Sequence, residues 1–135
     1  MDTPTIPRPR VADLVHGTLR VVHPSLPLRR AAELLAADGI GLLVVENAAG
    51  DLAGVVSERD LVAAIARGGE PDEERVGDLM TDDVVCVDLD DDLATTIDRM
   101  VAAEVRHLVA LDDDGAVVGV VSARDVLGAM GEVAS

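Results

Sequence analysis

Gly54-Val55-Val56-Ser57-Glu58-Arg59-Asp60 and Gly119-Val120-Val121-Ser122-Ala123-Arg124-Asp125, 65 positions apart, are the same phrase at six of seven positions. The interval does not drift along the chain. Val11-Ala12-Asp13-Leu14 is answered by Val76-Gly77-Asp78-Leu79, Val22 by Val87, Leu28 by Leu93, Leu43-Val44 by Leu108-Val109, and Gly50 by Gly115. Between 11–65 and 76–130, 16 positions are identical without a gap, far more than composition bias yields. The chain is a tandem duplication.

Each copy runs through the same predicted elements. A short β-branched run opens it, Leu19 to Val22 and then Val84 to Val87. A helix follows, with Leu28, Ala31, Ala32 and Leu35 at the i, i+3, i+4, i+7 spacing of one face, and Leu93, Thr96, Ile97 and Met100 repeating that face. Two apolar runs, Leu42 to Val45 and Leu52 to Val56, flank Asn47-Ala48-Ala49-Gly50, a hairpin turn answered by Asp112-Asp113-Asp114-Gly115. A second helix starts at Ser57 or Ser122 and runs to about Ala66 or Met130. The order is β-α-β-β-α. The predicted fold is α/β, two β-α-β-β-α repeats packed with pseudo-twofold symmetry into one compact module, because a single copy leaves one face of its strands wet. The predicted boundaries are an N-terminal arm at 1–10, repeats at 11–67 and 76–131, a linker at 68–75 and a tail at 132–135.

Composition narrows the function. Eleven cations, all Arg, stand against 26 acids for a net charge of -15, a field that repels phosphate backbones and anionic headgroups. Neither nucleic acid nor a membrane surface is an expected partner. No stretch approaches the length of a membrane span, the Pro-rich start lacks the apolar run of a secretion signal, and a cytoplasmic location is expected. Phe, Trp and Tyr are absent, so the core must be built from Val, Leu, Ile, Ala and Met. The lone Cys86 excludes an intrachain disulfide and is expected to be a buried strand residue. The three His, with His16 and His23 lacking a legible partner, form no metal cluster. Asp88, Asp90-Asp91-Asp92 and Asp112-Asp113-Asp114 read as solvated acidic turns, since consecutive acids point in different directions and EF-hand spacing is absent.

The repeated phrase carries the chemistry. It leads a strand directly into a helix start, where free backbone N–H groups and the positive dipole end favour an anion. Gly54 and Gly119 are expected to keep side chains out of a ligand's approach. Ser57 and Ser122 offer hydroxyls, Asp60 and Asp125 can accept hydrogen bonds from a ribose diol, and Arg59 and Arg124 offer planar forks for phosphate. Ser-x-x-Asp at a helix start is also close to a capping box. Both readings stand here, for a capped helix end can still face a cleft. Capping does not account for the Arg before each Asp.

Two gapless copies of β-α-β-β-α, each ending in Gly-Val-Val-Ser-x-Arg-Asp, resemble a tandem pair of cystathionine-beta-synthase (CBS) domains over residues 11 to 131. Val76-Gly77-Asp78-Leu79-Met80-Thr81 and Val105-Arg106-His107-Leu108-Val109-Ala110-Leu111-Asp112 add to the likeness. The resemblance implies a module that binds adenosine-containing ligands (AMP, ADP, ATP or S-adenosylmethionine) in two clefts between the repeats, forms a homodimer, and senses metabolites without catalysis. No cofactor is required beyond the adenine nucleotide as regulatory ligand. Carried onto this sequence, it implies that Asp60 and Asp125 hold ribose hydroxyls, with Ser57 and Ser122 near ribose or phosphate. One implied cleft combines Ser57, Arg59 and Asp60 with Val85, Arg106 and His107. The other combines Ser122, Arg124 and Asp125 with Arg20, Gly41 and Leu42, its phosphate contacts falling to Arg20 or Arg124. Val44 and Val109 stand where the family often has Pro, and Leu14-Val15-His16-Gly17 where many members have Met-Thr.

Two other function classes are weighed against this one. A structural dimerisation or docking protein that has lost its ligand would suit the missing aromatics and prolines, but both Ser and both Asp are retained. Catalysis lacks a nucleophile and base at readable spacing. About ten residues precede the repeats and four follow, so the regulated protein is expected to be a separate, unidentified partner.

Overall fold

The computed structural model describes residues 9–15 and 19–134, with side chains through 131. The expectation for His16, and that for the arm as far as residue 8, lie outside the described residues. Copy one forms β1 (Val21–Val22), α2 (Leu28–Asp38), β2 (Leu42–Glu46), β3 (Leu52–Ser57) and α3 (Glu58–Ala66). Copy two forms β4 (Cys86–Asp88), α5 (Leu93–Ala103), β5 (His107–Leu111), β6 (Val117–Ser122) and α6 (Ala123–Ala134). Both copies thus realise β-α-β-β-α. Each copy also opens with a one-turn helix that the periodicity does not predict, α1 (Val11–Leu14) and α4 (Val76–Leu79).

Each copy makes a three-stranded sheet, in the orders β1-β2-β3 and β4-β5-β6. The first pair in each is parallel and the second antiparallel, with a register shift at Val45/Glu46 and at its counterpart Ala110/Leu111. The hairpin turns are also built alike. Asn47 Oδ1 accepts from the N–H groups of Ala49 and Asp51, and Asp112 Oδ1 from those of Asp114 and Ala116. Gly50 and Gly115 close these turns at φ of 84° and 80°, the left-handed region that glycine enters without a Cβ penalty.

The chain divides into two units, and the division does not follow the repeats. One unit is Thr18–Val84, while the other joins Val85–Ser135 to the segment that carries α1. Burial explains the exchange. Val76 of α4 is fully buried among Val22, Leu28, Ala31, Leu35, Leu43, Val45, Val56, Leu61 and Ala64 of copy one. Val11 and Leu14 of α1 are buried with Val87, Met100, Leu108, Ala110, Val121, Val126 and Ala129 of copy two. Backbone bonds fix both insertions: Val76 N–H to Leu26 O (2.8 Å), Gly77 N–H to Pro24 O (2.8 Å), Val11 N–H to Asp91 O (2.9 Å) and Ala12 N–H to Leu89 O (2.9 Å). Two sheets short of apolar cover therefore each close a core with the other copy's opening turn.

The 68–75 segment has a structural task as well. Pro27 at the start of α2 makes no side-chain cap, and the orphan N–H groups of Leu28 and Arg29 are met by Glu74 O and Pro71 O at 2.8 Å each. In α5 the same need is met locally, Asp92 Oδ1 accepting from Thr95 N–H at 2.9 Å. Thr96, the one polar residue among the described buried set, donates its hydroxyl to Asp92 O. Cys86 lies in a strand as expected, but it is half-buried rather than buried.

Candidate functional site

Strand register decides which of the candidate residues meet. In the first unit Val44 N–H donates to Arg20 O (3.0 Å), Glu58 N–H donates to Gly41 O (3.2 Å), and Leu42 lies opposite Ser57. Arg20, Gly41, Leu42, Ser57, Arg59 and Asp60 thus share one end of the sheet. In the second unit Val109 N–H donates to Val85 O (3.0 Å), Ala123 N–H donates to Arg106 O (2.8 Å), and His107 lies opposite Ser122. That end gathers Val85, Arg106, His107, Ser122, Arg124 and Asp125. Residues of one copy come together within each unit, whereas the groupings implied by resemblance draw on both.

The helix starts are capping boxes. Ser57 N–H donates to Asp60 Oδ2 (2.8 Å), the Ser57 hydroxyl donates to the same oxygen (3.0 Å), and Asp60 N–H donates to Ser57 Oγ (3.2 Å). Ser122 and Asp125 repeat the reciprocal pair at 2.9 and 3.1 Å. Capping does not exhaust either acid. Oδ1 of Asp60 and of Asp125 makes no hydrogen bond among the described residues, so each half-buried carboxylate keeps an acceptor for a hydroxyl donor.

Gly54 and Gly119 prove to have a packing role. A β-carbon at Gly54 would stand 2.6 Å from Thr81 O and 3.0 Å from Met80 Sδ, and one at Gly119 would overlap Val15 Cγ1. The missing side chains make room for the segment that follows each exchanged opening helix, not for a ligand's approach.

The cations differ in what they touch. The guanidinium groups of Arg59, Arg106 and Arg124 belong to exposed residues and make no hydrogen bond or ion pair among the described residues. Arg20 is held instead: its Nε and Nη2 donate to Asp38 Oδ2 and Oδ1 at 2.7 and 3.2 Å. Leu42 is buried, and His107 is half-buried. The acidic runs are largely spent on local structure. Asp91 Oδ2 accepts from Asp88 N–H and lies 3.5 Å from Arg99, while Asp92 and Asp112 serve the cap and turn above. No group of three His, Cys, Asp or Glu able to hold a metal occurs among the described residues.

The hydrogen bond from Arg20 holds the Asp38 carboxyl below its ordinary value of 3.8, against the opposing effect of burial and with help from the Arg20 charge. Arg29 does the same to Asp72. A carboxyl whose pKa is lowered by folding contributes stability that is complete above the unfolded value and is lost as pH falls through the folded one. Melting followed by far-ultraviolet circular dichroism should therefore show Asp38→Asn less stable than wild type near neutrality, with the gap closing below pH 3.8. A gap that persists unchanged to about pH 2 would contradict the assignment.

Comparison with known proteins identifies the family of the fold. The CBS domain family matches twice, over residues 11–67 and 76–132. An uncharacterized protein of Methanopyrus kandleri is 34% identical over 90 residues, 66% of this chain and 46% of that protein, so the chain spans under half of that relative's length. The crystal structure of a CBS-domain containing protein from Agrobacterium tumefaciens superposes with a TM-score of 0.82 at 30% identity, covering 90% of this chain and 92% of that one. CBSX2, solved in complex with AMP, superposes at 0.76 with 28% identity over 93% and 98% of the two chains. With both matched segments coinciding with the duplicated elements, the chain belongs to the CBS domain family.

Proposed function

We propose that this chain is a non-catalytic regulatory module that binds an adenosine-containing ligand, from AMP, ADP and ATP to S-adenosylmethionine, and signals its occupancy to a separate protein. The observation that carries the reading is the doubled helix start, where Asp60 and Asp125 each spend one oxygen on the cap and keep the other for a hydroxyl, beside the unpaired Arg59 and Arg124. The AMP complex of the related CBSX2 supports the ligand class. In this reading Asp60 and Asp125 take ribose hydroxyls, Ser57 and Ser122 lie near ribose or phosphate, and Arg59, Arg106, His107, Arg124 and Arg20 serve the phosphates. Gly41, Leu42 and Val85 line the approach through backbone and apolar surface. The ligand acts by binding two arrangements of the protein unequally.

Homodimerisation is part of the proposal. Val62 and Ile65 on α3 recur as Leu127 and Met130 on α6, exposed by 66, 54, 67 and 45%. An apolar groove of about 470 Å³ between α5 and α6, lined by Ile97, Met100, Val101, Val105, Leu127 and Met130, adjoins the exposed pair in the second unit. Keeping apolar pairs exposed at matching positions in both copies supports an interface there. Among the described residues no helix is long and apolar enough to cross a membrane.

The composition makes the test unusually clean. A chain without Phe, Trp or Tyr absorbs little between 260 and 280 nm, so a 260 nm peak that travels with purified protein and is released by denaturation is expected to be bound nucleotide, named by mass spectrometry. If the spectrum is flat and calorimetric titration with AMP, ATP and S-adenosylmethionine gives no heat, the ligand-binding reading fails and the docking role stands.

A further inference from the structure

The bidentate pair between Arg20 and Asp38 exists in one copy only. Shifted by the repeat interval, Arg20 becomes Val85 and Asp38 becomes Ala103. The second unit builds the same strand, helix and strand with that apolar pair, so the fold does not require the charges. The pair is also asymmetric in exposure: the Asp38 side chain is 16% exposed and that of Arg20 is 41% exposed. Nε and Nη2 face the acid, while Nη1 makes no hydrogen bond among the described residues. Arg20 O is bonded to β2 at the sheet end that also holds Gly41, Ser57 and Asp60. At that end the positions of Arg106 and His107 are taken by Gly41 and Leu42. The only other cation of this sheet-end set, Arg59, sits between Glu58 and Asp60.

We propose that Asp38 is a specificity-determining residue, an internal competitor that occupies Arg20 and so sets how far the first unit favours a phosphorylated over an uncharged adenosyl ligand. The inference rests on the adenosyl-ligand reading above. A guanidinium presents the same fork to a carboxylate and to a phosphate. An arriving phosphate must therefore displace Asp38 from the fork, or share Arg20 with it at the unbonded Nη1. An uncharged adenosine displaces nothing. Occupancy of Arg20 lowers affinity for the anion while leaving the contacts to ribose and base untouched.

The experiment compares AMP with adenosine by calorimetry on the full chain, in wild type, Asp38→Asn, Asp38→Ala and Arg20→Gln, each checked for fold by circular dichroism. Ala103 at the matching position shows that this fold accommodates alanine there. Both Asp38 variants are expected to bind AMP about three- to fivefold more tightly with adenosine affinity unchanged, the range set by the modest strength of a partly exposed ion pair. Arg20→Gln should weaken AMP alone. An unchanged ratio of AMP to adenosine affinity in folded Asp38 variants overturns the proposal and leaves the adenosyl reading intact. Weaker AMP binding in both Asp38 variants also overturns it, for Asp38 would then position Arg20 for the ligand. Failure of every protein to bind either compound overturns both readings.

Discussion

Gly54→Ala is expected to lower the stability of the folded chain by about 1–3 kcal/mol, the range for forcing an extra carbon into a filled site, while the protein that remains folded binds nucleotide as before. The new methyl would stand 2.6 Å from Thr81 O. That oxygen is backbone and cannot swing away. It accepts from Val55 N–H at 2.9 Å, and Thr81 N–H donates to Val55 O at 2.9 Å, so a retreat of Thr81 loosens both bonds. It would also shift the segment next to α4, whose Val76 is fully buried in the core of the first unit. Gly119→Ala should be milder, because the neighbour there is the Val15 side chain, which can change rotamer. Urea denaturation followed by far-ultraviolet circular dichroism measures the difference without aromatic probes. Normal stability with weakened AMP binding in Gly54→Ala would instead mean that this glycine clears a path for the ligand.

The same glycine shows where reading the sequence stops. The repeat phrase predicts a strand running into a capped helix, and that is what forms, from Leu52–Ser57 into Glu58–Ala66 and from Val117–Ser122 into Ala123–Ala134. Such features are local: alternation, helical period and a cap lie within a few residues. The partner of Gly54 is Thr81, 27 positions away and just past an element of four residues, too short to show any period. A faint signal for the opening turns was present in Asp13 and Asp78, the acids whose Oδ2 accept from Arg10 and Arg75 N–H at 2.9 and 3.3 Å. Nothing local could tell that α1 and α4 exchange units, because the exchange is settled by which sheet lacks apolar cover. Arg20 is a parallel case. Its fork was legible as a phosphate donor, but its bond to Asp38, 18 positions on, arises only when β1 and α2 fold back on each other.

The doubled carboxylate leads to the second large effect: the double variant Asp60→Asn with Asp125→Asn should melt close to wild type yet lose adenosyl affinity by about ten- to hundredfold per site, the usual worth of a hydrogen bond to a charged group. Alanine would be the wrong probe. It would remove the Oδ2 that closes each capping box and cost about 1 kcal/mol per helix start before any ligand was considered. Asparagine keeps one oxygen to accept from Ser57 or Ser122 N–H and replaces the unbonded Oδ1 by an amide donor. A ribose hydroxyl that donated to Oδ1 then meets a group that also donates, in a half-buried position where the mismatch is poorly relieved by water. Each single variant should remove one site, and calorimetry with AMP should show the stoichiometry or affinity falling stepwise from wild type through single to double. Wild-type affinity in a folded double variant would reduce both acids to caps and remove the ribose contact from the proposed function.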